Sequence, residues 1–247
     1  MNRAADKDPG QALEKQLRRN RMLDEQLRGE SFNRAALERV QEWQRKRLAS
    51  TYADLYQNHR YRAACSFFLD EIYGGLDFDA RNRQLERVAP VMQRLLPDYM
   101  VLAVAEALGL QAMSLEFDCQ LARLLENEPV IDQPRYAEAY RRQGDFEGRR
   151  YQIELIRHLG QALDDVVHRP GVKRLVSMMR FPARAAGFGA LQDFLEQGLS
   201  AFATMDGAEE FLDTIERRET RGIEAIASGE DRPFEDDFSR NALPGSD

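Results

Sequence analysis

No stretch of this chain alternates apolar and polar residues with a period of two over a useful length, while apolar residues recur at three- and four-residue spacing almost throughout. That periodicity is the strongest constraint on the fold, because half-buried strands need the alternation and amphipathic helices need the longer spacing. No Asn-Gly hairpin signal and no repeat of fixed length interrupts it. The pattern predicts an all-α protein, a single multi-helix bundle of about nine to eleven helices around a buried central helix. With Gly 16 and Pro 9 in 247 residues, there is too little turn-forming material for a loop-rich β fold.

The densest apolar segment runs from Tyr61 to Gly75, YRAACSFFLDEIYGG. Tyr61, Ala64, Cys65, Phe68 and Ile72 form one helical stripe, and Phe67 and Leu69 lie off it, so the helix needs neighbours on two sides and belongs inside a bundle. Gly74 and Gly75 end it. Asp70 and Glu71 lie in its last turns, where the helix dipole disfavours acids. Either a downstream arginine such as Arg81 or Arg83 compensates them, or they form an acidic site flanked by Tyr73.

Around this segment the chain divides into three parts. Residues 1–30 read as a charged, partly disordered N-terminal arm whose apolar edge, Leu13, Leu17, Leu23 and Leu27, is too sparse to fold alone. Residues 31–227 form the helical domain. A helix carrying Trp43 comes first; after the Tyr61 segment, a helix through Leu85 and Val88 is kinked or restarted at Pro90. The next helix begins at Pro97 and stops at Gly109, and another spans about Gln111 to Glu126. Beyond the loop NEPVIDQP a short helix ends near Gly144 and a long one covers Glu147 to His168. Val172 to Phe181 is expected to break at Pro182, and Ala183 to Met205 to form one helix containing Gly187, Gly189 and Gly198, a sign of close packing. The last helix runs from Ala208 to Ala227. Residues 228–247 read as an acidic disordered tail with six acids against two arginines.

Charge and cysteine usage narrow the function. The net charge is -7, of which the tail supplies -4, so the body is close to neutral and a nucleic-acid partner is not expected. Cys65 and Cys119 have neither metal-ligand nor disulfide spacing, which fits a reducing cytoplasm. The first residues lack the apolar core of a secretory signal, and no run reaches the roughly 18 apolar residues of a membrane span, so a soluble cytoplasmic protein without a membrane partner is expected.

The string FFLDEIYGG, preceded by RYRAA, resembles a family of uncharacterised bacterial proteins marked by an FFL-x-x-x-YG motif, with further similarity over MRFPARAAGFGALQDFLEQGLSAFATM. The resemblance covers roughly residues 33 to 226. It implies an all-helical bacterial protein with no established activity, and carries no catalytic residue onto this chain.

Several familiar chemistries fail on placement. Glu154, His158, Asp165 and His168 have spacings that helical di-iron sites use, but all lie within about 40° of Glu154 on the face opposite Ile153, Ile156, Leu159 and Leu163. They read as a solvated face. No CxxCH attachment site, GxSxG elbow or phosphate loop is present, so no cofactor and no metal is expected. Arg141, Arg142, Arg149 and Arg150 interleave with Tyr136, Tyr140 and Tyr151 as nucleic-acid surfaces do, yet Glu138, Asp145, Glu147 and Glu154 intervene, and this too reads as a solvated face.

Two charges interrupt apolar stripes. Asp118 falls beside Leu121, Ala122 and Leu125, and Arg184, on a helix from Ala183 to Met205, points with Phe188, Leu191, Leu195 and Phe202. A buried charge needs a partner, so both are expected to face the bundle and be compensated, by each other or through Arg180. Asp118, Arg180, Arg184 and Tyr73 are therefore the candidate ligand-binding residues. The leading expectation is a helical binding or regulatory protein acting through a protein partner or a small anionic ligand. The alternative is an enzyme or cofactor-binding protein with a polar site between helices near Asp118 and Arg184.

Overall fold

The computed structural model describes residues 8–30, 32–68, 78–95 and 97–235. These residues form eleven helices and no strand: α1 (Pro9–Arg28), α2 (Arg34–Thr51), α3 (Ala53–Gln57), α4 (Arg62–Phe67), α5 (Phe78–Leu95), α6 (Asp98–Leu124), α7 (Gln133–Gln143), α8 (Phe146–Val167), α9 (Val172–Ala185), α10 (Gly189–Ala203) and α11 (Glu209–Ala227). The fold class is all-α. Short polar side chains set several starts. Asp8, Asn33, Asp132 and Asp145 each accept a backbone N–H from the first turn of α1, α2, α7 and α8, meeting donors that the helix itself leaves unpaired. Gly144, at φ +76°, closes α7 in the left-handed conformation.

The helix on which the others gather is α6. Its first half buries Val101, Ala105 and Leu108 against α1 and α5, and its second half buries Ala112, Leu115, Cys119, Leu121 and Ala122 against α2, α7, α8 and α11. By length and composition α6 could cross a membrane, but here its apolar length is shared among neighbouring helices. The expected stop at Gly109 does not occur. Gly109 faces Gln16 of α1, whose side chain would lie 3.3 Å from an added Cβ, so the glycine permits close approach of two helices and does not end one.

The N-terminal segment folds onto this helix. Ala12, Leu13, Leu17 and Leu23 are buried, and each fully buried leucine contributes roughly 1.5 to 3 kcal/mol. Asn20 Nδ2 donates to the Leu108 carbonyl at 3.0 Å, and Arg19 Nε donates to Glu116 Oε1 at 2.7 Å. The edge that is too sparse to fold alone is sufficient when α6 lies beneath it.

A third core, beyond the two along α6, gathers α3, α4, α10 and the ends of α2, α8 and α11. Tyr61, Ala64 and Cys65 are buried in it. Phe67, off the expected stripe, packs on Phe194 of α10 at 5.2 Å between centroids, and Phe68 lies 5.8 Å from Phe211 of α11. The segment thus has neighbours on two sides. Leu69, Asp70, Glu71, Ile72, Tyr73, Gly74 and Gly75 lie outside the described residues, and with them the candidate acidic site at Tyr73.

Two further boundaries differ from expectation. Helix α9 runs through Pro182 to Ala185, and the break comes at Gly187, with φ +82°. Past α11, residues 228–235 remain against the body: Phe234 is 5% exposed, its ring lies 6.3 Å from Trp43, and its N–H donates to Gln133 Oε1 at 2.9 Å. The boundary expected at residue 228 thus divides a segment that contributes to the core.

Candidate functional site

Where α2, α6, α7, α8 and α11 face one another, the interior holds a cavity of about 120 Å³. Its walls are largely isoleucine and aromatic, but four charged side chains reach it, each from the apolar stripe of its own helix. Such charges are costly to bury and are retained where something compensates them.

Arg47 and Glu219 form one pair. On α2, Arg47 follows Ala36, Leu37, Val40 and Gln44 at helical spacing and is 6% exposed. Its Nη1 lies 2.5 Å from Glu219 Oε1, and the same oxygen accepts the Tyr52 hydroxyl at 2.7 Å. The guanidinium lies over the Phe234 ring, 4.8 Å from its centroid. Burial opposes the Arg47 charge, but Glu219 outweighs it and holds the guanidinium protonated. The Tyr52 phenol is pushed up by burial and then by Glu219, so it acts as a neutral donor.

Asp118 is the second carboxylate. It is 6% exposed and accepts from Gln44 Nε2 at 2.6 Å and, more loosely, from Gln41 Nε2 at 3.4 Å. Burial raises its carboxyl above the usual range, opposed by the Gln44 hydrogen bond and the field of Arg149. Gln44 Oε1 in turn accepts the Tyr136 hydroxyl at 3.5 Å, and burial raises that phenol as well.

Arg149 completes the set. Its guanidinium is held between the rings of Phe117 and Tyr140, 4.0 and 4.6 Å from their centroids, and its Nη2 donates to Gln143 Oε1 at 2.8 Å. Gln143 is fixed in turn by donating to the Phe117 carbonyl at 3.1 Å. Among the described residues Arg149 makes no ion pair with a carboxylate. The Nε atoms of both Arg47 and Arg149 are buried without a hydrogen-bond partner.

Of the residues singled out in the sequence, only Asp118 belongs to this cavity. Arg184 is exposed and donates to Asp193 Oδ1 at 2.7 Å; Arg180 is exposed and grips Glu196 with three hydrogen bonds, the shortest 2.6 Å. The break at Gly187 removes Arg184 from the stripe it was assigned to, so neither arginine reaches Asp118. Arg149, Tyr136 and Tyr140, read as part of a solvated face, are buried. The intervening acids Glu138, Asp145 and Glu147 occupy the outer arcs of α7 and α8, and Arg149 shares the inner arc of α8 with Gln152, Ile153 and Gly160. That spacing was available in the sequence.

Among the described residues the cavity wall carries no activated nucleophile. Burial pushes the Cys65 thiol on its wall up to about 12, so it stays protonated near neutrality. Ser114 Oγ donates to the Leu110 carbonyl and accepts from Gln152 Nε2, with no base beside it. Among the described residues no three His, Cys, Asp or Glu side chains converge as a metal set. Glu154, His158, Asp165 and His168 are exposed on the outer face of α8.

Residues 24–233 match the family model described as Domain of unknown function (DUF8198), and the chain belongs to that family. The match is wider at both ends than the region of resemblance read from the motifs. No curated protein and no solved structure matches the chain.

Proposed function

We propose that this member of the DUF8198 family is a cytoplasmic binding protein that holds a small molecule inside its helical bundle. One observation carries the reading: two buried arginines line a single interior cavity, and each keeps an Nε–H without an acceptor. Native interiors leave few buried donors unpaired, and a ligand is one way of supplying the acceptor. Apolar walls with a few convergent polar groups are the usual composition of a small-molecule pocket. The buried, unpaired thiols of Cys65 and Cys119 suit a reducing compartment.

The test is the mass of the freshly purified full chain under native and denaturing conditions, with an absorbance spectrum alongside. An excess mass released on denaturation supports the reading, as does a rise in Tm with small molecules, since a ligand at a hundred times its Kd stabilises by about 2.7 kcal/mol. A bare native mass and no shift across a broad metabolite set would sink it.

A protein partner is the second reading, and α9 favours it. Met178, Met179 and Phe181 are exposed on a helix that carries four basic residues and no acid, a surface suited to an acidic amphipathic helix. If such a partner docks there, Phe181→Ser abolishes its co-purification and leaves the melting curve unchanged. The alternative of an enzyme or cofactor-binding protein with a polar site between helices near Asp118 and Arg184 draws no support from Arg184, which is exposed and bonded to Asp193.

A further inference from the structure

Building on the cavity as a ligand site, we propose that its occupant is a small organic monocarboxylate with a compact apolar body, its carboxylate taken by Arg149 and Arg47. The hydrogen-bond inventory is asymmetric. Both acids already have donors, Glu219 from Arg47 and Tyr52, and Asp118 from Gln44 and Gln41. Both bases retain a buried N–H with no acceptor. The other orphaned buried atoms, on Gln16, Asn20, Arg39 and Asp164, are not in the lining of this cavity. What the site lacks is acceptors, and a carboxylate supplies them in the planar geometry that a guanidinium matches best.

Charge gives the same sign. Arg47 is paired with Glu219, while among the described residues Arg149 has no carboxylate partner and its Nε is buried without an acceptor. A monocarboxylate gives Arg149 that partner, whereas a cation adds a second unpaired positive charge beside it and a phosphate dianion buries a charge that one guanidinium does not balance. Size sets the body. An engineered apolar cavity of about 150 Å³ accepts benzene, so about 120 Å³ suits a head and body of about five or six heavy atoms. Ile153, Ile156, Ile215 and Ile223 provide the walls for a short branched chain.

Calorimetry on the full chain, stripped of any bound molecule by partial unfolding and refolding, uses matched probes: butyrate and isobutyrate, their amides, isobutylamine, benzene and inorganic phosphate. The expected result is binding of at least one carboxylate at least tenfold tighter than its amide, with no binding of amine or phosphate, because a hydrogen bond to a charged group is worth roughly tenfold or more. Arg149→Met removes the preference and Arg150→Met, exposed on the same helix, leaves it. Should Arg149→Met fail to fold, the comparison of carboxylate with amide on the unaltered chain still decides. Equal or tighter binding of amide, benzene, amine or phosphate overturns the ligand class and leaves the cavity reading intact, as does a co-purified molecule without a carboxylate. A chain that binds no probe and carries no co-purified molecule overturns both.

Discussion

Asp118 is a carboxylate in a place that favours its neutral form. Its folded value lies above the 3.8 of an unperturbed aspartate because burial outweighs the Gln44 hydrogen bond and Arg149. Between those two values the unfolded chain has released a proton that the folded chain keeps, so stability falls as pH rises through that window and stays lower above it. Asp118→Asn keeps an acceptor for Gln44 and removes the charge. The variant is expected to show a higher urea midpoint than wild type at pH 7, and no difference below pH 3.8. Glu219 holds both Arg47 and Tyr52. Glu219→Gln is expected to cost about 3 to 5 kcal/mol in urea unfolding, the usual penalty for breaking one side of a buried pair. Replacing both Arg47 and Glu219 by apolar residues of similar size costs less than the single change, and a double-mutant cycle measures the difference. At this scale Asp118, Arg47, Arg149 and Glu219 share one signature that the sequence carries, a charge on an apolar helical stripe. Asp118 was legible because α6 is regular around it. Arg149 was obscured because its aromatic neighbours and the intervening acids belong to different faces and different helices.

Helix boundaries decided which stripes were real. The arc assigned to Arg184 came from a single helix over Ala183 to Met205, whereas the chain breaks at Gly187 and Arg184 closes α9 beside Asp193. Pro182 sits in the last turn of α9 without breaking it, whereas Gly187, in the left-handed conformation, ends the helical path. At Gly109 a glycine that costs roughly 1 kcal/mol within a helix is kept where α1 must come close. Helix α1 shows how packing overrides a thin pattern. Deleting residues 1–28 removes Leu13, Leu17 and Leu23, exposes Val101, Ala105 and Leu108, and strips the Leu108 carbonyl of Asn20. The shortened chain is expected to lose cooperative melting or to fall by 10 °C or more in Tm, since the lost burial is of order several kcal/mol. Unchanged calorimetric melting would falsify the view that α1 belongs to the core.

At the scale of the whole molecule, α6 joins two cores end to end, and the third, at α4 and α10, is reached through α2, α8 and α11. The all-α class was legible because helical periodicity is a local property of the chain. The cavity was not, because six helices contribute to its wall and no sequence spacing reports how six helices converge. Its cover was the least legible part: the acidic composition after Ala227 describes solvent-facing residues and conceals Phe234. That ring fits a notch on α11 left by Gly222, where an added Cβ would come within 2.7 Å of it. Trp43, stacked 3.9 Å from Tyr136 and 6.3 Å from Phe234, is the single tryptophan of the chain. Its emission is therefore a built-in optical gauge of the cover and the cavity wall at once. Truncation after Ala227, or Phe234→Ala alone, is expected to shift that emission to longer wavelength, and an occupant of the cavity to change its intensity. Stopped-flow fluorescence can then time entry and exit with no label attached, and a cover that must swing aside shows itself as faster exchange in the truncated chain.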